Sequence, residues 1–84
     1  MSYDYNVERE NVFTEDGQVM FLSVRDNVNR LISDSGAVSM QCAISGQTGN
    51  SWHMLACVDR LVELKEIREI TGKNVAGQDR VFVK

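Results

Sequence analysis

The sequence predicts a mainly α, α+β domain in which three helices are followed by a C-terminal two-stranded β-hairpin. Three observations lead to that class. Phe21, Val24, Val28, Leu31 and Ile32 recur at steps of three and four, as residues on one face of a helix do. Met54, Val58, Leu61 and Val62 repeat the pattern further along. The chain then closes on Val81, Phe82 and Val83, where two residues face one way and one the other, after a polar loop with Gly72 and Gly77 near its ends.

Taken in order, residues 1–12 (MSYDYNVERENV) show neither period and read as a flexible polar arm, leaving 13–84 as the domain. Tyr3, Tyr5 and Val7 alternate, which leaves open a short strand that orders against a partner. Thr14 opens the first helix, with Glu15 and Asp16 at the positive end of its dipole. Asp16 is a rival cap, because Gly17 is a poor interior residue. Met20 and Leu22 widen the apolar face. Gly36 suits the left-handed turn that ends the helix.

Val38 is placed for a single strand-like bridge, and Ser39 caps a short helix through about Ser45, with Met40, Ala43 and Ile44 inward. Ser45-Gly46-Gln47-Thr48-Gly49-Asn50 is a turn of small hydrogen-bonding residues. Asn50 or Ser51 caps the third helix, which runs to about Leu64. Residues 67–71 extend as a strand, 72–78 form a loop, and 80–83 return.

An apolar fraction of 43% and a charged fraction of 25% fit a globular chain and argue against a disordered one. The 84 residues imply one domain with a small core, so a homodimer is expected as support. Cys42 and Cys57 read as reduced, buried, structural thiols. With one histidine and no Cys-x-x-Cys pair, no metal and no cofactor are expected. A polar, acidic N-terminus and the lack of a long apolar run point to a cytoplasmic protein with no membrane partner. The net charge of −3 is uneven: the first sixteen residues carry −4 and the last twenty +2. Such asymmetry steers an anionic partner toward one end, although a mixed surface of this kind is also ordinary.

The stretches CVDRLVELKEIREI and GKNVAGQDRVFVK, with SMQCAISG before them, resemble the winged helix-turn-helix family over residues 18–84. The first is similar to a third helix with its strand entry, the second to a wing and its return strand, the third to a second helix. Lys65 stands where the family often has glycine, so that helix is expected to run on or end differently. The resemblance implies a DNA-binding transcriptional regulator with a recognition helix at about 51–64 in the major groove and a wing at 67–83. It places Gln47, Thr48, Asn50, Ser51, Trp52, His53 and Ala56 toward double-stranded DNA, with Arg60 further along and Lys73 and Arg80 as wing phosphate contacts.

The same positions argue the other way. The expected reading face has Trp52, Leu55 and Ala56 and no Lys or Arg before Arg60. DNA affinity depends largely on phosphate neutralisation. The second expectation is therefore a winged-helix protein-interaction module without DNA binding, in a bacterial or phage assembly, with Trp52 and Leu55 at the protein interface. Trp52 has three readings: packing at the core edge, an interface anchor, or a contact with a base. His53 reads as an ordinary surface residue, since nothing supplies a triad around it. The turn SGQTGN lacks the Lys-Ser/Thr ending of a phosphate loop. No catalytic residue is assigned, and the chain is not expected to be an enzyme.

Overall fold

The computed structural model describes residues 3–72 and 79–84. It is mainly helical, with a small three-stranded antiparallel sheet. In chain order the elements are α1 (Tyr5–Val12), α2 (Glu15–Ser35), β1 (Val38–Ser39), α3 (Met40–Ala43), α4 (Ser51–Glu63), β2 (Arg68–Glu69) and β3 (Val81–Val83).

Helix α2 begins and ends where its sequence says. The Thr14 hydroxyl accepts a hydrogen bond from the Gly17 N–H (3.0 Å) and donates to the Asn11 carbonyl (2.9 Å). Thr14, not Asp16, is thus the cap. Gly36 closes the helix at φ 82°. Between them Phe21, Val24, Val28 and Ile32 are buried, and Leu31 partly so. Burying each such side chain is worth about 1.5–3 kcal/mol over leaving it in water. Gly17 is buried for a separate reason: a Cβ built there would lie 1.8 Å from the Asn11 carbonyl oxygen. The end of α1 presses on the start of α2 at that point, and only glycine leaves room.

Val38 and Ser39 pair with Phe82 and Val81, while Arg68 and Glu69 pair with Val83 and Phe82. The sheet order is β1-β3-β2, so β3 is central and Phe82 is wholly buried. The expected pairing of the last two strands is present as β2 and β3, with β2 shorter than the expected 67–71 and the expected loop lying, from 73 to 78, outside the described residues; the expected bridge at Val38 becomes a third strand. Ile67 and Phe82 share one apolar cluster with Val58 and Leu61. The sheet therefore covers the helices rather than standing apart from them.

Helix α3 is a single turn. Its start is capped by Ser39, whose Oγ accepts from the Cys42 N–H (3.2 Å), and its last carbonyls, Cys42 and Ala43, accept from Asn27 Nδ2 on α2 (3.1 and 2.9 Å). Helix α4 is capped by Asn50, whose Oδ1 accepts from the Trp52 N–H (2.8 Å). At its other end Lys65 takes the left-handed conformation, φ 62°. The Lys65 N–H donates to the Val62 carbonyl and the Glu66 N–H to the Leu61 carbonyl, both at 3.0 Å. This paired closure normally uses glycine. A side chain there costs about 1–2 kcal/mol.

Two expectations are corrected. Residues 5–12, expected as part of a flexible polar arm, form a helix docked on α4. Asp4 caps it by accepting the Asn6 N–H (2.9 Å). Only Val12 of this helix is buried, so no apolar period announces it. Cys42, expected to be buried, is exposed, because one turn of α3 carries only Met40 and Ala43 inward. Both cysteines are free; burial pushes the Cys57 thiol up to about 11.

Candidate interaction face

Helix α4 is held on two sides. Met54, Cys57, Val58 and Leu61 are buried on its inner face. Successive helical residues turn by about 100°, so Ala56 points roughly 150° away from the middle of that face. Ala56 is nonetheless fully buried. Helix α1 lies across this outer side, so Ala56 is under cover rather than facing a ligand, contrary to the expectation from the resemblance.

The cover is clamped by polar contacts. Tyr3 Oη donates to Asp59 Oδ2 (2.6 Å), and Tyr5 Oη donates to Glu63 Oε1 (2.9 Å). Arg9 Nε donates to Glu63 Oε2 (3.0 Å), and Arg60 Nη1 reaches Glu63 Oε1 at 2.5 Å. The guanidinium carbons of Arg9 and Arg60 lie 5.1 and 5.0 Å from the Phe13 ring centre, within cation–π range. Three donors thus converge on the Glu63 carboxylate. The hydrogen bonds from Arg9, then Arg60, then Tyr5 hold it down at about 2. Burial, followed by the Glu63 carboxylate, pushes the Tyr5 hydroxyl up to about 12. Burial, followed by Asp59, raises Tyr3 as well. His53 Nε2 sits 3.9 Å from Glu8 Oε2 on α1.

A second polar cluster fastens α4 to the sheet. Arg80 Nη2 donates to Asp59 Oδ1 (2.8 Å) and to Glu69 Oε1 (2.9 Å), and Arg80 Nε donates to Glu69 Oε2 (3.1 Å). Thr71 Oγ1 donates to Glu69 Oε2 (2.7 Å) and accepts the Val81 N–H (3.3 Å). Burial works against the Arg80 charge, but the bonds from Asp59 and Glu69 outweigh it and raise its pKa. Arg80 hydrogen bonding holds the Glu69 carboxyl below its ordinary value. Asp59 belongs to both clusters, so it joins α4 to Tyr3 just before α1 and to Arg80 just before β3.

Against this geometry the expected DNA contacts divide into three groups. Thr48, Asn50 and Ser51 are exposed at the start of α4, although the Asn50 Oδ1 is engaged as the cap. Gln47 is half-buried, and its Nε2 donates to Ser23 Oγ (3.1 Å). His53, Arg60 and Arg80 face carboxylates of this same chain. Lys73 lies outside the described residues. Trp52 and Leu55, the expected interface residues, are both half-buried; Leu55 and Val62 pack partly on the core. Ser51, Leu55 and Val62 lie roughly 90° from the inner face, between the core and α1. They form a partly exposed flank of α4, while Trp52 lies in line with Ala56, Asp59 and Glu63 on the outer side.

Arg9 and Phe13 were not singled out by sequence reasoning, Tyr3 and Tyr5 were read only as part of an alternating segment that could order against a partner, and Asp59, Glu63 and Glu69 were read as ordinary carboxylates with no assigned role. The alternation of Tyr3 and Tyr5 is the one local signal that could have marked those two. An open pocket of about 200 Å³ lies between α2 and α3, lined by Asn27, Arg30, Leu31, Cys42 and Ser45. No helix among the described residues is long and apolar enough to cross a membrane. Comparison with family models, with curated proteins and with solved structures finds no match to this chain.

Proposed function

We propose that this chain is a winged-helix module that associates with another protein and does not depend on DNA. Two features support the winged-helix assignment. From α2 to β3 the order is helix, strand, helix, helix, strand, strand, and the strand order is β1-β3-β2. Both fit a recognition-type helix with a wing beside it. The observation that carries the functional reading is the state of the outer side of α4. Its arginine, Arg60, and the neighbouring Arg80 are each bonded to carboxylates of the same chain. The apolar residues of α4 that keep partial exposure are Trp52, Leu55 and Val62. A duplex asks for unpaired cations, because counterion release supplies most of its affinity. A protein partner asks for an aromatic and aliphatic strip with a polar rim.

Fluorescence polarisation with a mixed-sequence duplex at low salt is the direct test. No salt-dependent binding at micromolar protein is expected, and such binding would overturn the reading. Leu55→Arg, verified as folded by circular dichroism, is expected to lose a partner that the parent chain retains on an affinity column.

DNA binding remains the second reading, favoured by one observation: Thr48, Asn50 and Ser51 are exposed where α4 begins, the end that reaches base edges in a groove. In that case Asn50→Ala would alter sequence preference, while Arg80→Glu and Lys73→Glu would weaken binding to every duplex alike.

A further inference from the structure

The break between α1 and α2 is one residue wide. Phe13 already has a helical backbone, φ −89° and ψ 0°. Thr14 alone departs, with φ −75° and ψ 164°. Neither residue is proline or glycine, so nothing in their chemistry forbids a helix. Turning ψ at Thr14 into the helical range would join residues 5–35 into one straight helix. The Glu15 and Asp16 N–H groups, which have no intrahelical acceptor at a helix start, would then find the Asn11 and Val12 carbonyls. The Thr14 cap would be lost, and that gain offsets the loss in part.

Straightening lifts α1 off its own α4 and uncovers Ala56, Asp59 and Glu63. It also carries Tyr3, Tyr5 and Arg9 away as a set. The chemistry that fits an uncovered α4 is another copy of α1 with the residues leading into it, which presents the same two hydroxyls and guanidinium at the same spacing. We propose that α1 is an exchangeable arm, and that a second copy of this chain can be its partner: two chains straighten at Thr14 and trade arms, each α1 resting on the other chain's α4. Every contact between α1 and α4 is kept in the exchanged pair, and only the two hinges differ.

Gly17 makes the inference testable. In the bent form a Cβ at this position meets the Asn11 carbonyl oxygen at 1.8 Å. In a straight helix the Asn11 carbonyl turns along the axis toward Glu15, and residue 17 is an ordinary interior position where alanine is preferred. Gly17→Ala therefore penalises the bent chain and favours the straight one. Thr14→Ala acts in the same direction more gently, by removing the cap from the bent form. Loss of a cap at each of two hinges corresponds to about a 30-fold tighter dimer.

Both variants are refolded at millimolar protein and sized by sedimentation. Gly17→Ala is expected to be a dimer, and Thr14→Ala to shift toward one by that factor. Arm exchange is then read by an interchain disulfide. Chains bearing Tyr5→Cys are mixed with differently tagged chains bearing Glu63→Cys, both with Gly17→Ala and Cys42→Ser. A bond between unlike chains is expected. If Gly17→Ala unfolds, Thr14→Ala carries the test alone, with the same pair of cysteine substitutions. Folded variants that stay monomeric overturn the proposal, as does a dimer in which the unlike chains form no such bond. Either result leaves the reading of Leu55, on the flank of α4, to its own test on the affinity column.

Discussion

The inner and outer sides of α4 are both buried, but only the outer side adds a rim of polar contacts to its apolar ones. On the inner side Cys57, Val58 and Leu61 share one apolar cluster with Ile67, Phe82 and the apolar face of α2, with no polar atom needed for the fit. On the outer side Ala56 is just as inaccessible and shares the apolar cluster with Val12 of α1, but around it the tyrosine hydroxyls and the Arg9 guanidinium of the cover meet the Asp59 and Glu63 carboxylates. Transfer of apolar area from water is additive and insensitive to small shifts. Exposed ion pairs return little net energy, because each charge loses hydration and each long side chain loses freedom. The inner side should therefore hold the fold together, and the outer side should set which surface is shown.

Leu61→Ala cuts into the inner side and should have the largest effect. Truncating a fully buried leucine leaves a cavity as well as losing transfer energy, a destabilisation of about 2–5 kcal/mol. Urea unfolding would measure it, and a loss no greater than that of an outer-side change would erase the contrast. Tyr3→Phe removes the hydroxyl that reaches half-buried Asp59. A loss of about 1.5 kcal/mol is expected, since the acceptor is charged. Lys65→Gly touches neither side but relieves the left-handed residue after α4, and should stabilise by about 0.5–1 kcal/mol.

Glu63→Gln should have the smallest effect at neutral pH, and the effect should fade with added salt. Its pH dependence has a definite sign. The folded-state carboxyl sits at about 2 against an ordinary 4.5, so its contribution is complete above 4.5 and disappears as pH falls toward 2. The gap between parent and variant should close over that window. Tyr5 works at the other end of the scale. Its hydroxyl is raised from 10.0 to about 12, so its contribution is present below pH 10 and is lost as pH rises through 12. A Tyr5→Phe variant should lack that alkaline loss. A clamp that contributes equally at every pH would contradict the role given to these two groups.

Helix α2 shows how much was readable without coordinates. Its cap, its apolar stripe and its closing Gly36 are all local signals, set by residues within a turn or two of one another. The same holds for the Asn50 cap and inner face of α4, and for Val38 as a bridge. Helix α1 was not readable. An eight-residue helix is marginal alone, and its anchor points, Asp59 and Glu63, lie more than fifty residues away in the chain. Arg80 was misleading for a related reason. As a letter in the sequence it is a free cation near a loop. In the structure the register of β2 against β3, and the passage of α4 behind them, bring two carboxylates to it.

By itself, then, the order of residues determined the helical periods, most of the caps and the apolar positions that share a core, because each follows from contacts within a few residues or from a strong drive to leave water. Only the tertiary structure decided that α1 covers α4 and that the arginines nearest the expected reading face are already paired. Those outcomes depend on weak polar contacts between distant segments, which leave no period in the chain and take effect once the core has brought their partners within reach.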